Sequence, residues 1–120
     1  MVSETVKKRA IRSLVQSLQK YAESQGWQSE DYRIFYWGNW DWGKIHLILV
    51  ARAFPGRYED QWLTISEYLK KELKDEPVLR KAFNLELRTF DQVEEGGLYA
   101  IHPDYEDADE FLVKPSLGAK

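Results

Sequence analysis

Cysteine is absent from the 120 residues of this sequence. That absence excludes disulfide bonds, zinc and iron–sulfur sites held by thiolates, and cysteine nucleophiles. Because small secreted domains usually depend on disulfides, it also favours an intracellular protein, which we expect in the cytoplasm. A run of about 18 apolar residues is missing as well, so we expect no membrane-spanning helix. Residues 1–4 lead into a charged amphipathic segment instead of an apolar signal core, and we therefore expect a soluble, unprocessed chain.

Motifs for the common chemistries are also missing. The sequence has neither of the glycine-rich phosphate loops and no serine in a Gly-x-Ser-x-Gly turn. Its only histidines are His46 and His102, and neither has a second ligand at metal-binding spacing. The sequence therefore predicts no catalytic residues, no metal and no cofactor, and it favours a protein that is not an enzyme. An enzyme whose site is assembled from scattered polar residues, for instance around His102 and Tyr99, remains an alternative.

Positive charge is in slight deficit, since 17 basic and 20 acidic side chains give a net charge of −3. This sign is unfavourable for a domain that holds nucleic acid mainly through phosphate contacts. A local exception lies near the start of the chain, where four cations stand close together: Lys7, Lys8, Arg9 and Arg12. They oppose the macrodipole of the helix predicted there, so helix stability does not explain them. They form either a solvated helix face or, as an alternative function, a contact surface for nucleic acid.

Helical periodicity opens the chain. Ser3 is suited to cap a helix that Gly26 ends, and apolar residues recur between them at helical spacing. These residues are Val6, Ala10, Ile11, Leu14, Val15, Leu18, Tyr21 and Ala22. A β-hairpin should follow, with strands at residues 32–37 and 44–54. Its second strand is apolar on nearly both faces, which is typical of the centre of a sheet.

The second half of the sequence alternates helical and extended patterns. In order, they predict a helix over residues 58–74, a short helix from Pro77 to about residue 83, a strand over residues 84–89 and a helical turn over residues 90–95. Thr89 and Gln92 have the spacing of a capping box, which supports that last turn. Residues 98–101 form either a brief edge strand or a packed extended segment. We expect the strand over residues 84–89 to lie parallel beside the first strand, although the sequence does not show which strands pair.

Together these elements predict an α+β fold: a single compact domain over residues 1–103, with an N-terminal helix, a central antiparallel hairpin, a long second helix and further strands. We expect the helices to pack on one face of a small sheet. Beyond Pro103 the composition becomes acidic. The acidic residues are Asp104, Glu106, Asp107, Asp109 and Glu110. We predict that residues 104–120 form an acidic, loosely ordered C-terminal tail.

Residues 54–95 resemble the BolA-like family. In that family an F-x-G turn precedes the main helix and a short strand precedes a final helix; here the turn is at residues 54–56 and the strand at residues 85–88. The resemblance implies an α+β sheet with helices on one side. Gln61-Trp62 stand in the region where the family carries an Arg-His pair, and Phe83-Asn84 where it carries another histidine. The family's shared-cluster ligation is therefore not carried over to this chain.

The hairpin loop is the most unusual feature of the sequence. Trp37, Trp40 and Trp42, three of the five tryptophans, lie within six positions around Asp41. Clustered indoles are enriched among interface anchors, so an exposed loop would bind a partner; alternatively, the loop folds back over its own core. We predict a small interaction or regulatory domain that binds another protein through these four residues. Nucleic acid is a less favoured partner, and pairing of the basic helix with the acidic tail of a second copy would give a dimer.

Overall fold

The described part of the chain comprises residues 4–39 and 44–113 of a computed structural model and is built from helices and short strands. The elements are α1 (Glu4–Ser24), β1 (Tyr32–Asn39), β2 (Lys44–Ala51), α2 (Tyr58–Glu72), α3 (Pro77–Ala82), β3 (Phe83–Thr89), α4 (Phe90–Glu95) and β4 (Glu106–Asp107). The predicted α+β class is confirmed. Within the described residues, no helix is both long and apolar enough to cross a membrane.

The strands form one mixed sheet in the order β3-β2-β1-β4. β1 and β2 are the antiparallel hairpin, with Tyr32 opposite Ala51, whereas β3 runs parallel to β2, with Leu85 opposite Leu47. The central position predicted for β2 is therefore confirmed. The prediction that the strand over residues 84–89 lies parallel beside the first strand is wrong, because that strand, β3, pairs with β2. The helices α2 and α3 cross over from the end of β2 to a strand that pairs with β2 itself, and β4 occupies the outer edge of β1.

The core lies between one face of this sheet and the helices α1 and α2. Alternate residues of each strand point to that face because strand side chains alternate. The sheet contributes Ile34, Tyr36, Ile45, Leu47, Leu49, Leu85 and Leu87, and the helices contribute Leu14, Val15, Leu18, Ile65, Leu69 and Leu73. All of them are at most 7% exposed, and burying each large apolar side chain stabilises the fold by about 1.5–3 kcal/mol.

The opposite face of the sheet is covered by irregular chain. Ile48 and Val50 point to this face, yet they are only 3% and 1% exposed. The chain after α4 crosses it, because residues from the segment 97–105 line one cavity with Ile48 and Arg88. Residues 98–101 are neither an edge strand nor a packed extended segment, because Gly97–Tyr99 form a 3-10 turn and residues 98–100 are exposed.

The acidic segment packs on the domain as far as residue 113, which corrects the loosely ordered tail predicted there. β4 pairs with β1, and Ala108 and Phe111 are 0% and 5% exposed. The side-chain amide of Gln19 in α1 donates to the Val113 carbonyl (2.6 Å) and accepts from the Val113 N–H (2.8 Å). Ala108 and Phe111, three positions apart, enter the core. The prediction of a loose tail followed from the many acidic residues around them. The rest of the predicted tail lies outside the described residues.

Candidate functional site: an aromatic groove

A groove of about 630 Å3 lies on the sheet face opposite α1 and α2. We call it the aromatic groove and define it by five of its lining residues: Trp37, Ile48, Arg88, Leu98 and Tyr105. Trp37, Ile48 and Arg88 come from β1, β2 and β3, whose alternation turns these side chains away from the core. Leu98 and Tyr105 come from the chain that crosses this face. The groove is therefore assembled only when the sheet and the crossing segment are both in place.

Trp37 is held by its neighbours on the sheet. Trp37, His46 and Asn84 are register partners on three adjacent strands, so they form a row across the sheet. The Trp37 and His46 rings stack, with centroids 4.9 Å apart and 22° between their planes, and His46 Nδ1 lies 3.3 Å from Asn84 Nδ2. The Tyr105 ring centroid lies 6.2 Å from that of the indole. One face of the Trp37 ring therefore packs on His46. Trp37 itself is half-buried and also lines the groove.

The structure places one of the four residues that the sequence predicts to bind a partner. That residue is Trp37, whereas Trp40, Asp41 and Trp42 lie outside the described residues. The strands are in register up to the last described pair, Asn39 opposite Lys44. The interpretation of an exposed tryptophan cluster is therefore a prediction for these three residues.

Arg88 carries the least exposed charge in the groove, with 15% of its side chain exposed. Its guanidinium donates to the Leu87 carbonyl (3.0 Å) and to the Glu86 carboxylate (3.3 Å), and it lies 5.6 Å from the centroid of the Tyr99 ring. The Arg88 Nε–H is buried and has no hydrogen-bond partner among the described residues. A buried polar group left unpaired costs about 1–3 kcal/mol, so a ligand oxygen that accepted from this N–H would recover much of that cost.

The phenol of Tyr105 is neutral over the physiological pH range. Burial raises its pKa above the usual 10.0, the Glu86 carboxylate raises this pKa further, and the Arg88 guanidinium opposes the shift. A neutral phenol both donates and accepts hydrogen bonds. Tyr105 thus offers an apolar ring together with a polar group that can orient a ligand.

Of the two residues of the enzyme alternative, His102 lines the groove, and Tyr99 lies beside it, with its ring centroid 5.6 Å from the Arg88 guanidinium. His102 Nδ1 accepts from the Asp104 N–H at 3.1 Å and lies 3.5 Å from the Asp104 carboxylate. These side chains are 65% and 64% exposed, so this contact supplies no desolvated acid or base. Across residues 4–39 and 44–113, no group of three or more His, Asp or Glu side chains is arranged to hold a metal.

The mouth of the groove exposes apolar surface. Leu98 is 94% exposed and Tyr99 is 44% exposed. Two carboxylates, those of Glu86 and Asp104, line the groove against the single guanidinium of Arg88. Sequence reasoning did not single out Arg88, Leu98 or Tyr105, because they join the groove through long-range packing. The one local signal is an apolar pair directly after the Gly96-Gly97 helix stop.

The basic cluster of α1 lies beside acidic residues. Lys8, Arg9 and Arg12 are exposed, and Lys7 is partly buried. Lys7 and Lys8 line a cavity of about 380 Å3 with Tyr36, Glu106 and Glu110. Burial raises the pKa of Tyr36 to about 12, and the charges of Glu106 and Glu110 add to that rise. This end of α1 therefore presents both signs of charge, which weakens its attraction for a phosphate backbone.

No protein-family model, curated protein or solved structure matches this chain. The resemblance to the BolA-like arrangement is thus one of local motifs. The function proposed for the chain rests on the geometry and charge of the aromatic groove.

Proposed function

We propose that this chain is a non-enzymatic interaction domain whose aromatic groove binds a short extended segment of a partner protein. The segment carries an apolar side chain next to lysine or arginine. The observation that supports this proposal is the nearly complete exposure of Leu98 at the mouth of a cavity walled by Trp37 and Tyr105. A leucine left in water beside aromatic rings is typical of an interaction surface.

The apolar side chain of the partner would pack against Leu98 and against the sides of the Trp37 and Tyr105 rings that line the groove, because those rings, with centroids 6.2 Å apart, already contact each other. Ile48 is already 3% exposed, so the sheet beneath the groove is packed and need not rearrange. An aromatic pocket of this kind concentrates binding energy in a few anchors, each contributing about 1–2 kcal/mol or more.

Polar groups in the groove would fix the backbone of the segment. After a small movement of the Arg88 side chain, a peptide carbonyl would accept from its Nε–H, which is buried and has no partner among the described residues. The neutral phenol of Tyr105 could donate to a second carbonyl. These two groups favour a peptide over a purely apolar ligand, because a lipid chain would leave both of them unpaired.

Charge selects the flanking residues of the partner. Glu86 and Asp104 line the groove and are 48% and 64% exposed, and the acidic Glu106 lies next to Trp37 around the adjacent cavity. Complementary potentials mainly raise the rate of association and the specificity of a complex. A partner segment with lysine or arginine beside its apolar anchor is therefore favoured. We include Trp40, Asp41 and Trp42 of the hairpin loop in the proposed contact surface on their sequence alone.

A library of peptides displayed on phage and selected against the full chain tests this function. We expect enrichment of sequences in which an apolar residue adjoins lysine or arginine. Leu98→Ser should weaken binding of an enriched peptide about tenfold. Leu63→Ser is the matched control, because Leu63 of α2 is also an exposed leucine, 54% exposed, and does not line the groove. Equal effects of the two substitutions would contradict the proposal.

A further inference from the structure

A separate cavity, of about 400 Å3, lies between α2, α3 and the outer edge of β3. Its charged lining is entirely basic in the described residues: Lys70 comes from α2, and Arg80 and Lys81 come from α3. We call this cavity the cationic pocket and define it by these three residues together with Trp62 and Ser66. It shares no lining residue with the aromatic groove.

One row of α2 forms a wall of the cationic pocket. Trp62, Ser66 and Lys70 are spaced four residues apart, so they lie along the same side of the helix. The Trp62 Nε1–H donates to the Leu85 carbonyl on β3 at 2.7 Å. This hydrogen bond fixes the indole against the sheet edge, yet 39% of Trp62 is exposed. The pocket therefore has a fixed aromatic surface at one end and cations at the other.

Ser66 is an unusual lining residue because its hydroxyl is buried and forms no hydrogen bond with the described residues. Only 2% of Ser66 is exposed, and its hydroxyl has no partner among the described residues. A serine inside a helix commonly donates to the carbonyl four residues earlier, and Ser17 of α1 does so to Ser13 at 2.8 Å. An unpaired buried hydroxyl destabilises a fold, and this one lines a cavity that could hold its partner.

Within residues 4–39 and 44–113, no carboxylate is paired with the cations of the pocket. None of the ion pairs between described residues includes Lys70, Arg80 or Lys81. A fourth cation is close, since the Lys44 ammonium donates to the Lys81 carbonyl at 3.0 Å. Three cations that line one cavity, with no ion-pair partner among the described residues, attract a ligand of high negative charge density.

We propose that the cationic pocket binds a nucleoside phosphate. Its phosphate groups contact Lys70, Arg80 and Lys81, and its base packs against the exposed part of Trp62. The Ser66 hydroxyl donates to a phosphate or ribose oxygen. Arginine and lysine are the usual partners of phosphate, a flat indole is a good surface for a base, and a volume of about 400 Å3 lies in the range of small-molecule sites.

Isothermal titration calorimetry of the full chain with ADP, inorganic pyrophosphate and adenosine tests this proposal. We expect ADP to bind more tightly than pyrophosphate, and adenosine to bind most weakly. The double substitution Lys70→Gln/Arg80→Gln should weaken ADP binding about tenfold or more. Ser66→Ala should weaken it about fivefold without loss of folding, since no existing hydrogen bond is removed.

The matched control is Lys71→Gln/Lys74→Gln. It removes the same charge from the last turn of α2 and from the residues just beyond it, but neither Lys71 nor Lys74 lines the pocket, so ADP affinity should change less than twofold. Absence of binding by both ADP and pyrophosphate would overturn the proposal. So would equal losses in the two double variants, which would indicate only general electrostatic attraction. Binding of a poly-glutamate peptide without binding of ADP would assign the pocket to an acidic protein segment instead.

Discussion

Phe111→Ala removes the side chain that anchors the acidic segment in the core. Phe111 is 5% exposed, and its ring packs edge-to-face on Tyr36, with centroids 5.6 Å apart and planes at 77°. Truncation of a buried phenylalanine costs about 3–5 kcal/mol, of which an edge-to-face pair accounts for about 0.5–1.5 kcal/mol. The substitution therefore tests whether residues 106–113 belong to the packed domain.

The expected loss lies at the lower end of that range. The segment is also held by the Gln16 amide, which donates to the Phe111 carbonyl at 3.1 Å, and by the paired hydrogen bonds between Gln19 and Val113. A segment at the edge of a sheet can detach before the whole domain unfolds, which limits the loss that global unfolding registers. We expect the free energy of unfolding to fall by about 3 kcal/mol.

Urea unfolding measures this loss, and hydrogen exchange locates it. Val113→Ala is the control, because that side chain is 62% exposed; it should change the free energy of unfolding by about 0.5 kcal/mol or less. The Ala108 N–H, which donates to the Ile34 carbonyl at 2.9 Å, should exchange faster in Phe111→Ala. A loss below about 1 kcal/mol, with unchanged exchange at this amide, would refute the packing described for the segment.

Three further substitutions, each at one side chain, should change the stability of the fold or its dependence on pH. Thr89→Ala removes the hydroxyl that accepts from a backbone N–H at the start of α4 (3.1 Å), so the free energy of unfolding in urea should fall by about 1 kcal/mol. In alkali the unfolded chain ionises first, because burial raises the pKa of Tyr36 from 10.0 to about 12; stability should fall as pH rises between these values, and Tyr36→Phe should reduce that fall in thermal unfolding. In acid, hydrogen bonds from the Gln28 N–H and the Arg52 guanidinium lower the pKa of Asp31 below its usual 3.8; stability from this group is present above that pH and is lost below it, and Asp31→Asn should weaken this dependence in acid unfolding.

Each of these outcomes has a contrary result. Thr64 is an exposed threonine inside α2, and Thr64→Ala should change stability by about 0.5 kcal/mol or less; an equally small effect of Thr89→Ala would show that the cap contributes little. An alkaline transition that is identical in Tyr36→Phe would contradict the burial of that phenol. An acid transition that is unchanged in Asp31→Asn would do the same for the hydrogen bonds to Asp31.

Local motifs were predicted from the sequence because their determinants are adjacent. Thr89 and Gln92 form the capping box expected from their spacing, and α4 spans Phe90–Glu95 as predicted. Gly26, expected to end α1, has a φ of +79°, a conformation that favours glycine. These signals act within one turn of the chain, so no knowledge of tertiary structure is needed to interpret them.

Contacts between distant residues could not be predicted in the same way. The hydrogen bonds that hold Val113 come from Gln19, 94 positions earlier. The acidic composition of residues 104–113 predicts a solvated segment, although Ala108 and Phe111 within it are core residues. The aromatic groove has the same origin. Trp37 stood out in the sequence, but its neighbours Arg88 and Tyr105 reach it only through strand pairing and the crossing segment, which periodicity does not specify.

The proposed function requires that a peptide binds in the aromatic groove. A titration of the 15N-labelled chain with a peptide enriched by phage display, followed through amide and indole N–H resonances, tests it most directly. We predict that the largest shifts occur at Trp37, Ile48 and Tyr105, while resonances of the outer surface of α2 stay unchanged. Shifts confined to α1 or α2, or a selection that enriches no peptide, would contradict this account.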